Sequence, residues 1–230
     1  MNTQAINKRI RLIMDLRNKG ITDTNVLSAI ERVPRDTFVP EHVKDQAWED
    51  MALPIGLGQT ISQPYVVALM TQSLNVTDMD KVLEIGTGCG YQAAVLANLA
   101  RRVYTIERHK DLLRHAEKRL EALKLRNLTA IAADGMKGWP TINGIDQAPF
   151  DKIIVTAAAR SKPPEALLNQ IRIGGKMIIP VGEPGNQMLK LYTRESDEAY
   201  AVRDIAGVRF VPLLPDVSDE KSDIAYALNS

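Results

Sequence analysis

Residues Val82 to Ala97 read V-L-E-I-G-T-G-C-G-Y-Q-A-A-V-L-A. A short apolar run containing one acid, Glu84, breaks into three alternating glycines, Gly86, Gly88 and Gly90, and an apolar-periodic segment follows. The pattern predicts a buried strand, a sharp turn and a helix. That is how an α/β sheet makes a nucleotide site: glycine lets a ligand sit against bare main chain, and the helix N-terminus presents free N–H groups.

The spacing narrows the ligand. The dinucleotide fingerprint is G-x-G-x-x-G with an acid about 20 residues further on. Here the glycines stand as G-x-G-x-G, and Glu84 precedes the first by two positions. A ligand without a pyrophosphate and with a positive charge suits this better, so S-adenosylmethionine, a sulfonium cation, fits where NAD fits less well. Glu107 ends the next apolar run (Val103 to Ile106) and is placed to accept from ribose hydroxyls. The plain alternative is an ordinary tight turn, with Glu107 capping the helix that follows.

Composition excludes several classes. At 230 residues the chain can bury a core as one domain. Its 29 Lys and Arg against 28 Asp and Glu leave +1, no footprint for a nucleic acid backbone. One cysteine makes neither an internal disulfide nor a Cys-x-x-Cys site, and three scattered histidines lack metal-ligand spacing, so no metal is expected. No apolar run would span a bilayer and the first residues hold no signal-peptide core, so a cytoplasmic protein without membrane contact is expected.

Along the chain, Ile6, Ile10, Ile13 and Met14 recur at helical spacing up to Gly20, and Asp23 caps a second helix closed by Pro34. Leu53 to Tyr65 (L-P-I-G-L-G-Q-T-I-S-Q-P-Y) reads as a loop that packs against something. A helix from about Pro64 to Leu74 leads into the glycine strand. A charged helix follows Glu107, then a strand from Leu128 to Ala133 ending in Asp134-Gly135, and another from Phe150 to Ala157. A helix over Glu165 to Ile171 is ended by Gly174-Gly175, and strands are expected at Lys176 to Val181, Leu189 to Thr193 and Val208 to Leu213. This alternation predicts an α/β chain: a Rossmann-like, doubly wound, mostly parallel sheet with a helical N-terminal cover. One catalytic domain over 1–230 is expected, with N-terminal helices and substrate loop to about 75, a cofactor-binding core over about 76–195, and a C-terminal strand with a solvated acidic tail (Asp216, Asp219, Glu220, Asp223) beyond it.

Few residues can carry chemistry. Thr156-Ala157-Ala158-Ala159 stands where base amino-group methyltransferases resemble one another in an Asn/Asp-Pro-Pro-aromatic tetrad. No cysteine lies near that strand to attack a pyrimidine. Cys89 reads as a small residue beside the ligand. His109 and His115 fall on or near the solvated side of the charged helix, and His42 in a polar stretch. Ser62 or Gln63 could simply cap the helix that Pro64 opens, or the loop around Gly56 and Gly58 could fold over a cleft and place the Ser62 hydroxyl there.

Taken together, V-P-R-D-T-F-V-P (33–40), L-P-I-G-L-G-Q-T-I-S-Q-P-Y (53–65), V-L-E-I-G-T-G-C-G-Y-Q (82–92), A-P-F-D-K-I-I-V-T-A-A (148–158) and R-F-V-P-L (209–213) closely resemble the protein-L-isoaspartate (D-aspartate) O-methyltransferase family. The glycine motif is shared by many methyltransferases; the Q-T-I-S-Q-P and R-F-V-P-L segments are far more specific. Cys89 departs from the serine common at its position, and the tail after Leu214 looks individual. The resemblance implies a monomeric enzyme that esterifies isoaspartyl, and some D-aspartyl, residues of damaged proteins and peptides with S-adenosylmethionine, the ester then collapsing to a succinimide. It implies Ser62 as the active-site serine and Gln59, Thr60, Ile61, Ser62, Glu84, Gly86, Thr87, Gly88, Cys89, Gly90, Glu107, Arg108, Asp134 and Gly135 as cofactor-binding. Thr60, Ser62 and the backbone around Val211 would meet the substrate. A methyltransferase on another carboxylate, a catalytically silent cofactor-binding protein and an NAD-dependent oxidoreductase are the rivals.

Overall fold

The computed structural model describes residues 3–218. Two helices open it, α1 (Thr3–Asn18) and α2 (Thr24–Arg32). Asp23 caps α2 by accepting the Asn25 N–H at 2.9 Å and the Val26 N–H at 3.2 Å, as its position predicts. Leu12 and Leu16 of α1 and Val26, Leu27 and Ile30 of α2 are buried together, so these helices form a cover with one apolar stripe each.

The expected loop after them is a two-stranded antiparallel hairpin, β1 (Leu53–Gly56) and β2 (Gln59–Ile61). Its turn residues Leu57 and Gly58 both have positive φ, 51° and 67°, the backbone a tight two-residue hairpin turn requires. Pro64 then opens α3 (Pro64–Leu74). Neither Ser62 nor Gln63 caps this helix by its side chain. Asp50 does so from outside: Oδ1 accepts the Tyr65 N–H at 2.8 Å, while Oδ2 accepts from Gln63 Nε2 at 3.1 Å and Lys19 Nζ at 2.6 Å. One carboxylate thus ties α1, the hairpin's exit and the start of α3.

The core follows as β3 (Lys81–Ile85), α4 (Tyr91–Ala97), β4 (Arg102–Glu107), α5 (Lys110–Ala122), β5 (Leu128–Ala132), β6 (Phe150–Val155), α6 (Glu165–Asn169), β7 (Ile171–Glu183), β8 (Asn186–Arg194) and β9 (Tyr200–Val208). The strand order is β5-β4-β3-β6-β7-β8-β9; the first five are parallel, and β8 and β9 are added as antiparallel hairpins. The chain winds outward from β3 in one direction and from β6 in the other, so β3 and β6 flank the switch point where such sheets hold ligands. Alternation sorts the core: Leu83 and Ile85 face Ile106, Ile153, Val155 and Met177 on one side, and Val82 faces Val103, Ile154, Met70 and Leu96 on the other.

Three elements differ from the pattern in the sequence. Gly174 and Gly175 do not end a helix: α6 stops at Asn169, and both glycines lie inside β7, where two steps along β6 are matched by five along β7. The glycines accommodate that bulge. Strand β9 is an edge strand whose mixed polarity hides it. Of the strand expected over 208–213 only Val208 belongs to β9; the rest runs extended and docks elsewhere, with the Ala158 N–H donating to Val211 O and the Leu213 N–H to Ala158 O, each at 2.8 Å. Asp216, expected in a solvated tail, is exposed but held: its carbonyl accepts from Arg108 Nε at 3.3 Å and its carboxylate lies 3.5 Å from Lys137 Nζ. Asp219, Glu220 and Asp223 lie outside the described residues. Among the described residues no helix is long and apolar enough to cross a membrane.

Asp50→Ala removes the one side-chain acceptor that the described residues place at the N-terminus of α3. It is expected to lower stability by about 1–2 kcal/mol, measured by urea denaturation.

Candidate active site

The glycine bend follows from close packing at the switch point. Thr156, just past β6, donates its hydroxyl to the carbonyls of Ile85 at 3.0 Å and Gly86 at 2.7 Å. A Cβ at position 86 would lie 2.3 Å from that hydroxyl, and φ there is +96°, so glycine is required twice over. The chain then passes over β4, with the Gly86 and Thr87 N–H groups donating to Ile106 O at 2.8 and 3.2 Å.

Above this bend lies a cavity of about 680 Å³. Its floor is Gly86, Thr87, Gly88 and Cys89; Glu107, Arg108 and Gly135 close one side, and the hairpin supplies Gln59, Thr60, Ile61 and Ser62 as the roof. Val211 borders it as well. Hairpin and bend, 20 or more residues apart in sequence, therefore share one space.

Glu107 is buried, and its two oxygens take different backbone donors: Oε2 accepts the Gly88 N–H at 2.7 Å and Oε1 the His109 N–H at 3.0 Å. A carboxylate offers about four acceptor positions, so it keeps room for ligand hydroxyls while bracing the bend. Cys89 is buried, and burial pushes its thiol up to about 11, so it stays neutral and unreactive at physiological pH.

Three residues expected at the cofactor are not in the lining. Glu84 sits beneath the floor. Strand alternation turns it to the face opposite Ile85, directly across from Thr105 in the β3–β4 register, and Thr105 donates to its Oε2 at 2.5 Å. Thr87 and Thr105 share a 2.6 Å hydrogen bond, so a chain of hydroxyls links Glu84 to the cavity floor. Its other oxygen has no partner among the described residues, and burial pushes its carboxyl up to about 8. An acid that is neutral at pH 7 cannot offset a sulfonium charge there. Gly90 is a packing glycine: a Cβ would come to 3.3 Å from Ala116 Cβ and Leu120 Cγ of α5. Asp134 starts the short turn 135–137, accepting the Met136 N–H at 2.9 Å and pairing with Lys137 at 3.2 Å.

Other residues enter the cavity unannounced. His109 was expected toward solvent; it is buried and lines the cavity beside Arg108, because its position before α5 turns it inward. His42 and His115 are exposed. Tyr91, the first residue of α4, is buried and lines the cavity. Behind it Arg35, fully buried, stacks 4.9 Å from the ring centroid. Gln187, also buried, holds Phe210 at both main-chain atoms, accepting its N–H at 2.6 Å and donating to its carbonyl at 3.1 Å. Nothing in the sequence pattern singles out Gln187. Arg35 lies in the V-P-R-D-T-F-V-P segment, but without a sign of its burial.

The family model for protein-L-isoaspartate(D-aspartate) O-methyltransferase matches residues 7–218. The chain belongs to this family. A protein-L-isoaspartate O-methyltransferase of Rhodospirillum centenum is 53% identical over 220 residues, covering 96% of each chain. One of Rhodospirillum rubrum is 56% identical over 209 residues, covering 90% of this chain and 93% of the relative. Among solved structures, a protein-L-isoaspartate O-methyltransferase aligns with a TM-score of 0.80 at 26% identity over 91% of this chain and 67% of that one. A putative isoaspartate methyltransferase of Plasmodium falciparum, in complex with S-adenosyl-L-homocysteine, aligns at 0.73 and 26% over 89% and 97%. The fold is therefore the Rossmann-like methyltransferase fold, and the cofactor of this family of methyltransferases is S-adenosyl-L-methionine.

The cavity suits that cofactor. A carboxylate with spare acceptor positions and a floor of bare main chain match a ligand with ribose hydroxyls and a polar amino-acid end. Among the described residues no three His, Cys, Asp or Glu side chains gather as metal ligands.

Because the Glu84 carboxyl is raised above its unfolded value of 4.5 to about 8, its contribution to stability is full below pH 4.5 and is lost as pH rises through 8. Glu84→Gln is therefore expected to flatten that part of the stability profile and to unfold at higher urea than the parent at pH 9, with the order reduced or reversed at pH 4.

Proposed function

We propose that this chain is a protein repair methyltransferase: it transfers the methyl group of S-adenosylmethionine to the free carboxylate of L-isoaspartyl, and D-aspartyl, residues, with Ser62 orienting the acceptor. One observation carries the assignment. The Ser62 hydroxyl and the Val211 N–H have no hydrogen-bond partner among the described residues, and both residues border the cavity that holds the glycine bend and Glu107.

The chemistry asks little of the protein. A carboxylate has an ordinary pKa of ~4 and is already the nucleophile at neutral pH, so no base is required. The cofactor, when bound, supplies a methyl group on a positively charged sulfur that serves as leaving group. The chain supplies alignment, worth up to roughly 7–11 kcal/mol when reacting groups are well placed. Ser62 and the Val211 N–H each donate to the acceptor carboxylate and hold it at the hairpin roof. One oxygen keeps a lone pair directed toward the bend. The roof also excludes water, removing the shell that would otherwise blunt the nucleophile. The product ester is neutral, so these charge-assisted hydrogen bonds weaken once transfer is complete, and the ester leaves to close to a succinimide unaided.

We assign Gln59, Thr60, Ile61, Ser62, Gly86, Thr87, Gly88, Cys89, Glu107, Arg108 and Gly135 to the cofactor and Thr60, Ser62 and Val211 to the substrate, within one domain over 1–230. Glu84, Gly90 and Asp134 support the site from beneath and beside it. The near-zero net charge supports a protein without affinity for nucleic acid. A monomer in the cytoplasm, away from membranes, completes the reading.

A methyl-transfer assay comparing an isoaspartyl peptide with its normal aspartyl counterpart tests the activity; equal rates on both would overturn it. Ser62→Ala is expected to lower kcat roughly 10- to 100-fold, the worth of a hydrogen bond to a charged group, with cofactor affinity retained. Glu107→Ala is expected to weaken cofactor binding by at least about tenfold in calorimetry, and unaltered affinity would count against its assignment.

A further inference from the structure

A second cavity, of about 550 Å³, adjoins the first and shares Thr60, Ser62, Thr156, Gln187 and Val211 with it. The serine therefore stands in the partition between the two. The second cavity's other walls include α3, through Tyr65, Val66 and Leu69, the turn into β8 at Gly185 and Asn186, and the end of β9 with the extended residues after it. If the first cavity takes the cofactor and the reacting carboxylate, the polypeptide bearing that carboxylate continues within a few bonds of Ser62, and this adjoining space lies open there.

Its charge is unbalanced. Among the described residues lining it, Arg209 is the one charged side chain. Arg209 is exposed and makes no ion pair or hydrogen bond among the described residues. The other charges at this end of the cleft cancel: Arg160 and Glu183, on the rim of the first cavity, pair at 2.6 Å. A chain with a net charge of +1 adds little field of its own. The groove beside the serine thus carries one uncompensated positive charge among apolar and uncharged polar side chains.

We propose that the second cavity holds the residues flanking the isoaspartate and that Arg209 makes the enzyme prefer substrates with an aspartate or glutamate next to the damaged residue. This rests on the isoaspartyl reading above. An exposed ion pair is worth about two- to fivefold, so the preference should appear as that ratio in kcat/KM, carried by KM, and shrink as salt screens it.

The test uses the full chain and matched isoaspartyl peptides whose neighbours on either side are Glu, Gln or Lys. The expected result is a two- to fivefold ratio of Glu over Gln on at least one side, a ratio below one for Lys over Gln, and both ratios moving toward one at roughly 0.5 M salt. Arg209→Gln should bring the Glu-to-Gln ratio to about one, while Arg209→Lys keeps it. A parent enzyme indifferent to the neighbour, or a preference that survives Arg209→Gln, overturns the proposal and leaves the isoaspartyl activity standing. Should the substituted chain not fold, the peptide and salt series on the parent enzyme still decides. Absence of methyl transfer to every isoaspartyl peptide would overturn both this proposal and the isoaspartyl reading beneath it.

Discussion

The cleft depends on how closely the end of β3 approaches the end of β6. One threonine hydroxyl, shared between the carbonyls of Ile85 and Gly86, draws the two strand ends together, and only a residue without a side chain tolerates its approach. With that contact made, the backbone turns over β4, the Gly88 N–H meets Glu107, and main chain becomes the floor of the cavity. A bulkier turn would lift the bend away from Glu107 and leave that buried carboxylate without one of its two donors, a costly loss in a dry site.

Two ionisable groups near the cleft are buried without a full set of partners, and the fold handles them in opposite ways. Glu84 can discard its charge, and burial makes it do so, which leaves a neutral acid at one end of a line of hydroxyls. Arg35 lies at the other extreme. Burial lowers its pKa, yet a guanidinium gives up its proton reluctantly. It is met by the face of the Tyr91 ring and the carbonyl of Met51, 3.2 Å away. The ring that receives this charge on one side belongs to a residue that borders the cavity. The rigidity of the first turn of α4 thus rests partly on a cation that no solvent reaches.

Local patterns made most of the architecture legible. The glycine bend, the start of α3 at Pro64, the Asp23 cap and the parallel strands all announce themselves through periodicity or through residues with narrow backbone preferences. The lining of the cavity was legible where the same local logic applied, as with Glu107 at a strand end. It failed where facing matters more than type. Glu84 is one residue out of phase with the cavity, so strand alternation sends it below the floor. His109 looks like the start of a solvated helix, but the entry angle of α5 turns it inward. The work of Asp50, Gln187 and Arg35 lies in contacts spanning long sequence separations, which no window along the chain contains. The hairpin looked like a loop because its strands are short and its turn takes a leucine at positive φ.

Two borders of the cavity come from distant parts of the chain: Ser62 precedes the sheet, and Val211 follows its last strand, reaching the cleft because Gln187 and Ala158 fasten the extended residues in place. During synthesis, the glycine bend and Glu107 emerge from the ribosome well before the segment around Val211 that borders the same cavity. A nascent polypeptide therefore carries the floor of the cleft before it carries the segment that borders the same space at Val211.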